Sequence, residues 1–300
     1  MKGIRYIVLS VAALIAAFLS GCGTKRQEMV LVNEQHFRTE EVSELRLDYD
    51  NDDITLLESD SNDIVLREYM DIDKSSYYAR IRHLGSTLHI EEGRRPGGNR
   101  LGCYVELYLP AGFTADIGIH TTESSLKTLA GHTMGILRAE TTRGSLEIAG
   151  INAREVYVSS ANGTVSMRNV TADTISIDAA NARVEADHIT GEIRYNTSGG
   201  TLILSGANGC GIFEAASDGH LELSFAEITG DISAVAGNGS IYFKAPAEAA
   251  FRFFASSRNG SIDSSYDSVA VNGGQASGDV GTNPVFCVEL KTHNGKIEVR

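Results

Sequence analysis

The chain has 300 residues, 39 of them acidic and 26 basic, for a formal charge of −13, with no tryptophan and only four prolines. Acidity without a basic cluster repels phosphate backbones and anionic headgroups, which excludes nucleic acid and electrostatic membrane docking. No Pro-rich or low-complexity linker divides the chain, so one elongated domain is expected.

Residues 1–21 read as an export leader. Lys2 and Arg5 form a basic start, and the apolar run Ile7 to Phe18 is shorter than the roughly 20 residues of a spanning helix. Leu19-Ser20-Gly21-Cys22 matches a lipobox, which makes Cys22 the expected site of acylation and membrane attachment. Residues 22–40 are then expected to be a tether and 41–300 a β-solenoid, with 41–115 an irregular cap and 116–300 regular coils.

In the cap, Leu45, Leu47, Asp52, Ile54 and Leu56 follow the coil template, and Ile81, Ser86, Leu88 and Ile90 are expected to form a second coil. Asp48, Asp50, Asp52 and Asp53 approach the spacing of a calcium loop, but Asp53 and Ser59 stand where such a loop needs glycine and glutamate. A solvated turn is the expectation, with no metal and no cofactor.

From Ile117 onward one pattern repeats nine times: an apolar-alternating run, a small polar turn, and a second alternating run. The turn slot falls at Ser124, Gly144, Gly163, Ala182, Gly200, Gly219, Gly239, Gly260 and Gly295, in steps of 20, 19, 19, 18, 19, 20, 21 and 35 residues. Period-two alternation means half-buried strands, and a fixed period near 20 residues means stacked coils. Inward positions are seven and five before the slot, then two and four after it. Ile212 is therefore expected inside, and Tyr157, Phe213, Tyr242 and Phe254 outside.

Asn or Asp precedes the slot in six coils, and a corner requiring positive φ would explain both it and the glycine. Asn-Gly also suits hairpins, so an antiparallel meander competes. Recurrence of the same residue types at nearly constant period favours an all-β, single-domain parallel solenoid, in which like residues stack. That arrangement sets Asn238 and Asn259 on adjacent coils. It sets Cys210 and Cys287 three coils apart, about 14 Å and beyond the ~7 Å limit for a disulfide. Cys103 lies farther still, and all three are expected as small buried hydrophobes. The Gly-rich segment from Ser268 to Pro284 is expected to cover the carboxyl-terminal end.

Val105-Glu106-Leu107-Tyr108-Leu109-Pro110-Ala111-Gly112 and the ending Thr292-His293-Asn294-Gly295-Lys296-Ile297-Glu298-Val299 resemble the bacterial putative-adhesin domain of unknown function. The resemblance implies a β-solenoid envelope protein and brings no catalytic residues with it.

Three residues after the slot the side chain points outward, and there Glu147, Glu185, Glu222, Asp263 and Glu298 recur, with Lys127, Ser166, Ile203 and Tyr242 between them. Glu147, Glu185, Glu222, Asp263, Tyr157 and Tyr242 form the candidate binding face, to which a protein or glycan would dock. The leading expectation is a non-enzymatic envelope lipoprotein of the outer membrane, presenting a repetitive surface. A polysaccharide-active β-helix enzyme and an accessory of envelope stress signalling are the alternatives. Fold alone does not decide among them.

Overall fold

The structure, a computed structural model, describes residues 28–96, 101–129 and 131–300. Cys22 and the leader lie outside the described residues. Within them the chain is a long, mostly parallel β-solenoid, as its periodicity requires. Leu137 pairs with Val156, Val156 with Ile175, and Ile175 with Ile193, each one period on. These residues are buried, as are Leu146, Val165, Val184 and Leu202 after the turn. Each fully buried Val, Leu or Ile contributes about 1.5–3 kcal/mol, and it finds its cover only on the rungs above and below.

Eleven rungs stack among the described residues, numbered here from the amino-terminal end. Rung 1 joins Thr87–Glu91 to Cys103–Pro110, and rung 2 joins Glu44–Tyr49 to Asp53–Ser59. Rung 3 joins Asp116–Thr121 to Leu126–Thr128. Rungs 4 to 9 carry the slots Gly144, Gly163, Ala182, Gly200, Gly219 and Gly239. Rung 10 carries Gly295 and rung 11 carries Gly260.

The stacking order departs from chain order at both ends. Rung 2 lies between rungs 1 and 3, because Leu45 pairs with both Leu88 and Ile117. At the other end the last segment of the chain inserts between two earlier ones. Val288 pairs with Ile232 on one side and Phe253 on the other, and Ile297 pairs with Ile241 and Ile262. Asn238 and Asn259, expected on adjacent rungs, are therefore two apart, with Asn294 between them. Asn259 donates to Asn294 at 2.8 Å, and Asn294 donates to Asn238 at 2.6 Å. Cys210 and Cys287 are likewise two rungs apart rather than three, with Asp231 between them. At about 10 Å they are still too far for a bridge. The three described cysteines are unpaired, and each is half-buried rather than buried.

The turn glycines recur along the stack for a reason other than backbone sign. None has φ in the left-handed region; each lies against the slot carbonyl of the preceding rung. A Cβ on Gly239, Gly260 or Gly295 would come within 2.5–2.7 Å of that neighbour's carbonyl carbon. At five of the seven slot glycines a Thr or Ser three residues earlier accepts the glycine N–H, as Thr141 does from Gly144 at 2.9 Å and Thr292 from Gly295 at 3.1 Å. Left-handed residues mark the opposite corner instead, where Gly150, Asn169, His188 and Gly206 stack with φ of 67°, 52°, 51° and 62°. Beyond that corner a short third side turns Ile151, Ala153, Val170, Ala172 and Ile189 inward.

One coil breaks the inward spacing. Ala215 of rung 8 pairs with Thr197, which leaves one more residue in the turn before Gly219 than in the turn before Gly200. A one-residue slip exchanges the two faces. Phe213, expected outside, is fully buried, and Ile212, expected inside, is 47% exposed.

Antiparallel strands cap both ends. Of the expected second coil, Leu88 and Ile90 lie in rung 1, but Ile81 does not share their coil: Arg80–Leu84 turns at Gly85 (φ 65°) and pairs antiparallel with Thr87–Glu91 as a hairpin, and the rung is completed by Cys103–Pro110. Val30–Arg38, placed in the tether by composition, is a strand paired antiparallel with Asp63–Met70, which pairs with Cys103–Pro110. At the far end Val269–Asn272 and Gln275–Val280 form a hairpin laid antiparallel on Phe251–Ser257. The insertion thus covers that edge, as expected.

Candidate functional site

The eleven strands that follow the turn, together with the antiparallel strands Val30–Arg38 and Asp63–Met70, form one continuous face of thirteen strands that ends at Ile262–Ser264. Register sets one outward residue per strand in a single column. It runs Glu34, Arg67, Glu106, Thr55, Lys127, Glu147 and Ser166. It continues through Glu185, Ile203, Glu222, Tyr242, Glu298 and Asp263. At about 4.8 Å per strand the column is close to 58 Å long.

Five of the six candidate residues thus share one line: Glu147, Glu185, Glu222, Tyr242 and Asp263. Tyr157 does not join them; it lies on the strand before the turn, between Arg138 and Ser176. From Lys127 to Tyr242 acids alternate with other residues. At the end the inserted rung makes Glu298 and Asp263 immediate neighbours. Lys296 resolves the repulsion, its Nζ lying 2.7 Å from Asp263 Oδ2 and 2.9 Å from Glu298 Oε2. These bonds raise the lysine pKa, and the bond from Lys296 holds the Glu298 carboxyl below its ordinary value.

Four of the other five acids also have a cationic or imidazole neighbour, while Glu106 accepts from the Tyr108 hydroxyl. Lys127 meets Glu147 at 3.1 Å, Arg183 meets Glu185 at 2.8 Å, and His220 meets Glu222 at 3.3 Å. Arg67 meets Glu34 at 2.6 Å. The column is therefore a ladder of paired charges with a weak net field, able to offer hydrogen bonds along its length.

Aromatic rings flank the column near both ends. Tyr242 is 38% exposed, with its ring 5.2 Å from that of His220. At the amino-terminal end Tyr69 and Tyr104 stack with centroids 4.5 Å apart and planes 7° from parallel. The Arg67 guanidinium sits 4.8 Å over the Tyr108 ring, whose hydroxyl donates to Glu106 at 2.8 Å. Burial raises the pKa of both Tyr104 and Tyr108, so the hydroxyls are donors at neutral pH. This tyrosine group escaped sequence reasoning, although alternation across Cys103–Pro110 put Tyr104, Glu106 and Tyr108 on one side.

The acidic run near residue 50 diverges. Asp48 meets His89 at 2.5 Å, Asp50 accepts from Thr122 at 2.7 Å, and Asp53 accepts the Ser125 N–H at 2.8 Å. Asp52 turns inward to Arg95, which also reaches Glu68 at 3.0 Å and Glu92 at 3.8 Å. Only 8% of the Arg95 side chain is exposed, and Glu68 is fully buried. Burial raises the Glu92 pKa, and the Asp52 charge adds to that rise. Glu92 accepts the N–H groups of Asp50 and Asn51 at 2.7 and 3.0 Å, closing the end of the turn column. These carboxylates are spent on structure. Among the described residues no group of three or more His, Cys, Asp or Glu side chains is arranged to hold a metal ion.

Flat polar faces, a narrow apolar interior and hairpin-capped ends define a parallel β-solenoid. The chain belongs to the Toastrack DUF4097 family, whose model matches residues 42–300. No curated protein matches the sequence. Among solved structures, a putative lipid binding protein from Parabacteroides distasonis is similar with a TM-score of 0.54 and 13% identity, over 89% of this chain and 95% of that one. A putative adhesin from Bacteroides fragilis gives 0.50 and 12%, over 92% and 98%. A putative adhesin from Parabacteroides distasonis gives 0.50 and 14%, over 89% and 96%. At such identities the likeness is one of fold.

Proposed function

We propose that this chain is a non-enzymatic protein of the bacterial envelope, held to a membrane by acylation of Cys22, that binds a protein or glycan partner along its thirteen-strand face. The unbroken column from Glu34 to Asp263 carries this reading, because from Glu147 to Glu222 its paired acids recur on alternate strands, about 10 Å apart, and offer an extended partner similar groups in sequence. Exposed rings beside the column add stacking surface of the kind enriched where proteins bind partners. The description of two fold relatives as putative adhesins supports the same direction.

The test is adhesion of cells displaying the full chain, or of beads coated with it, to arrayed glycans and to envelope proteins. Combined Glu147→Ala, Glu222→Ala and Tyr242→Ala should lower capture at least tenfold without changing the fold. Ser176→Ala with Arg194→Ala, on the strands before the turn, should leave it unchanged. Equal loss in both variants, or no capture by the unaltered protein, refutes the assignment. For the anchor, Cys22→Ser should move the protein out of the membrane fraction.

A further inference from the structure

On the strands that precede the turn, one outward position lacks a side chain. Gly118 of rung 3 pairs with Arg46 of rung 2 on one side and Arg138 of rung 4 on the other. Along its own strand it is flanked by Asp116 and His120. It is thus the empty centre of a grid of outward side chains, and the space there is a shallow groove of about 420 Å³. Its rim carries the carboxylates Glu44, Asp48, Asp116 and Glu140 together with the two guanidinium groups.

The two arginines differ. Arg46 donates to Glu44 at 2.7 Å, so its charge is matched. Arg138 lies with its guanidinium 5.3 Å from the centre of the Tyr157 ring, and no carboxylate among the described residues lies within 4 Å of it. Tyr157 is itself fixed, donating to Asp178 at 3.1 Å. Arg138 is therefore held beside an aromatic ring with donors left over, at the edge of a gap rimmed by acceptors.

We infer that the Gly118 groove is a binding subsite for a neutral saccharide unit. A sugar ring presents hydroxyls that both donate and accept, so it can serve carboxylates and a guanidinium side by side. Charged ligands fit less well. Four carboxylates against two arginines oppose an anion, and three of the four are already engaged, Glu44 by Arg46, Asp48 by His89 and Glu140 by His120, which leaves little to hold a cation. The gap spans two rung spacings, about 10 Å, between flanking Cα atoms. That suits one ring lying flat on the strand backbone. The subsite lies on a different side of the coils from the thirteen-strand face, so it stands or falls independently of the function proposed there.

The test uses the full chain against an array of neutral hexose and N-acetylhexosamine oligosaccharides, with trigalacturonate and trilysine as charged comparators. A Cβ at position 118 meets only Arg46 Cγ, at 4.0 Å, so Gly118→Val fills the gap without crowding the fold. Arg138→Gln removes the charge and keeps hydrogen-bonding capacity. The expected result is binding of at least one neutral oligosaccharide, weakened tenfold or more in both variants, with unchanged melting temperatures. Absence of neutral binding, binding unaltered in either variant, or tighter binding of either charged comparator overturns the inference.

Discussion

Replacing Gly239 by alanine tests the packing of the turn column most directly. A methyl group there would lie 2.6 Å from the Gly219 carbonyl carbon and closer still to its oxygen. The turn has to withdraw from the rung beneath. What holds it is a set of short bonds: Asn238 N–H to Ser217 O at 2.7 Å, Gly237 N–H to Ala215 O at 2.8 Å, and Asn238 Nδ2 to Asp218 at 3.0 Å. From above, Thr292 Oγ1 donates to Gly239 O at 2.9 Å. Losing two or three of these, at about 0.5–1.5 kcal/mol each, gives a cost of about 1–4.5 kcal/mol. Gly112→Ala is the control, because nothing lies within 4 Å of its added methyl. Urea unfolding followed by circular dichroism measures both. A Gly239→Ala protein within about 0.5 kcal/mol of the unaltered chain would refute the close-approach explanation.

Arg95→Met leaves Asp52, Glu68 and Glu92 buried without their cation, and should cost about 3–5 kcal/mol in the same unfolding assay; a loss under about 1 kcal/mol would show the cluster to be water-accessible. Rung order predicts that Asn238→Cys with Asn294→Cys cross-links on oxidation, whereas Asn238→Cys with Asn259→Cys, about 10 Å apart, does not; the reverse outcome would restore sequential stacking. Burial lowers the pKa of His132, so the unfolded chain takes up a proton first as pH falls below about 6.5. Stability should therefore decline between about pH 7 and 5, by no more than about 1.4 kcal/mol per pH unit from this residue, and His132→Leu should flatten the decline; an unchanged pH profile would argue against it.

Period and parity were legible in the sequence because each coil must bury one side of each strand. The reading failed where two apolar residues are adjacent. Ile212 and Phe213 satisfy either parity, and only the extra residue in the turn before Gly219 decides between them. The role of the slot glycines was misread for a related reason. A glycine that a turn needs for positive φ and one that a neighbouring carbonyl needs for room are the same letter. Rung order was not legible either, since every coil offers the same column of partners. The 35-residue step was its one trace: the hairpin within it returns the chain to a place between two rungs already made. Of the candidate face, the acids and Tyr242 could be aligned by counting from the slot. Arg67 and the tyrosines at 69, 104 and 108 could not, because antiparallel caps carry no repeat to count from.

The inserted rung bears on how the stack is completed as the chain folds from its amino-terminal end. Rungs 3 to 9 can each settle on the one before, in the order in which their residues are released. Rung 11 does not settle against rung 9, because its proper neighbour is a segment made after it. Rung 2 likewise waits for residues beyond 86 and beyond 115 to supply its two neighbours. A chain cut short before Phe286 would keep two open parallel edges facing each other, the arrangement most prone to pairing with other chains. Residues 286–300 therefore act as a keystone: the stack closes only when they have arrived.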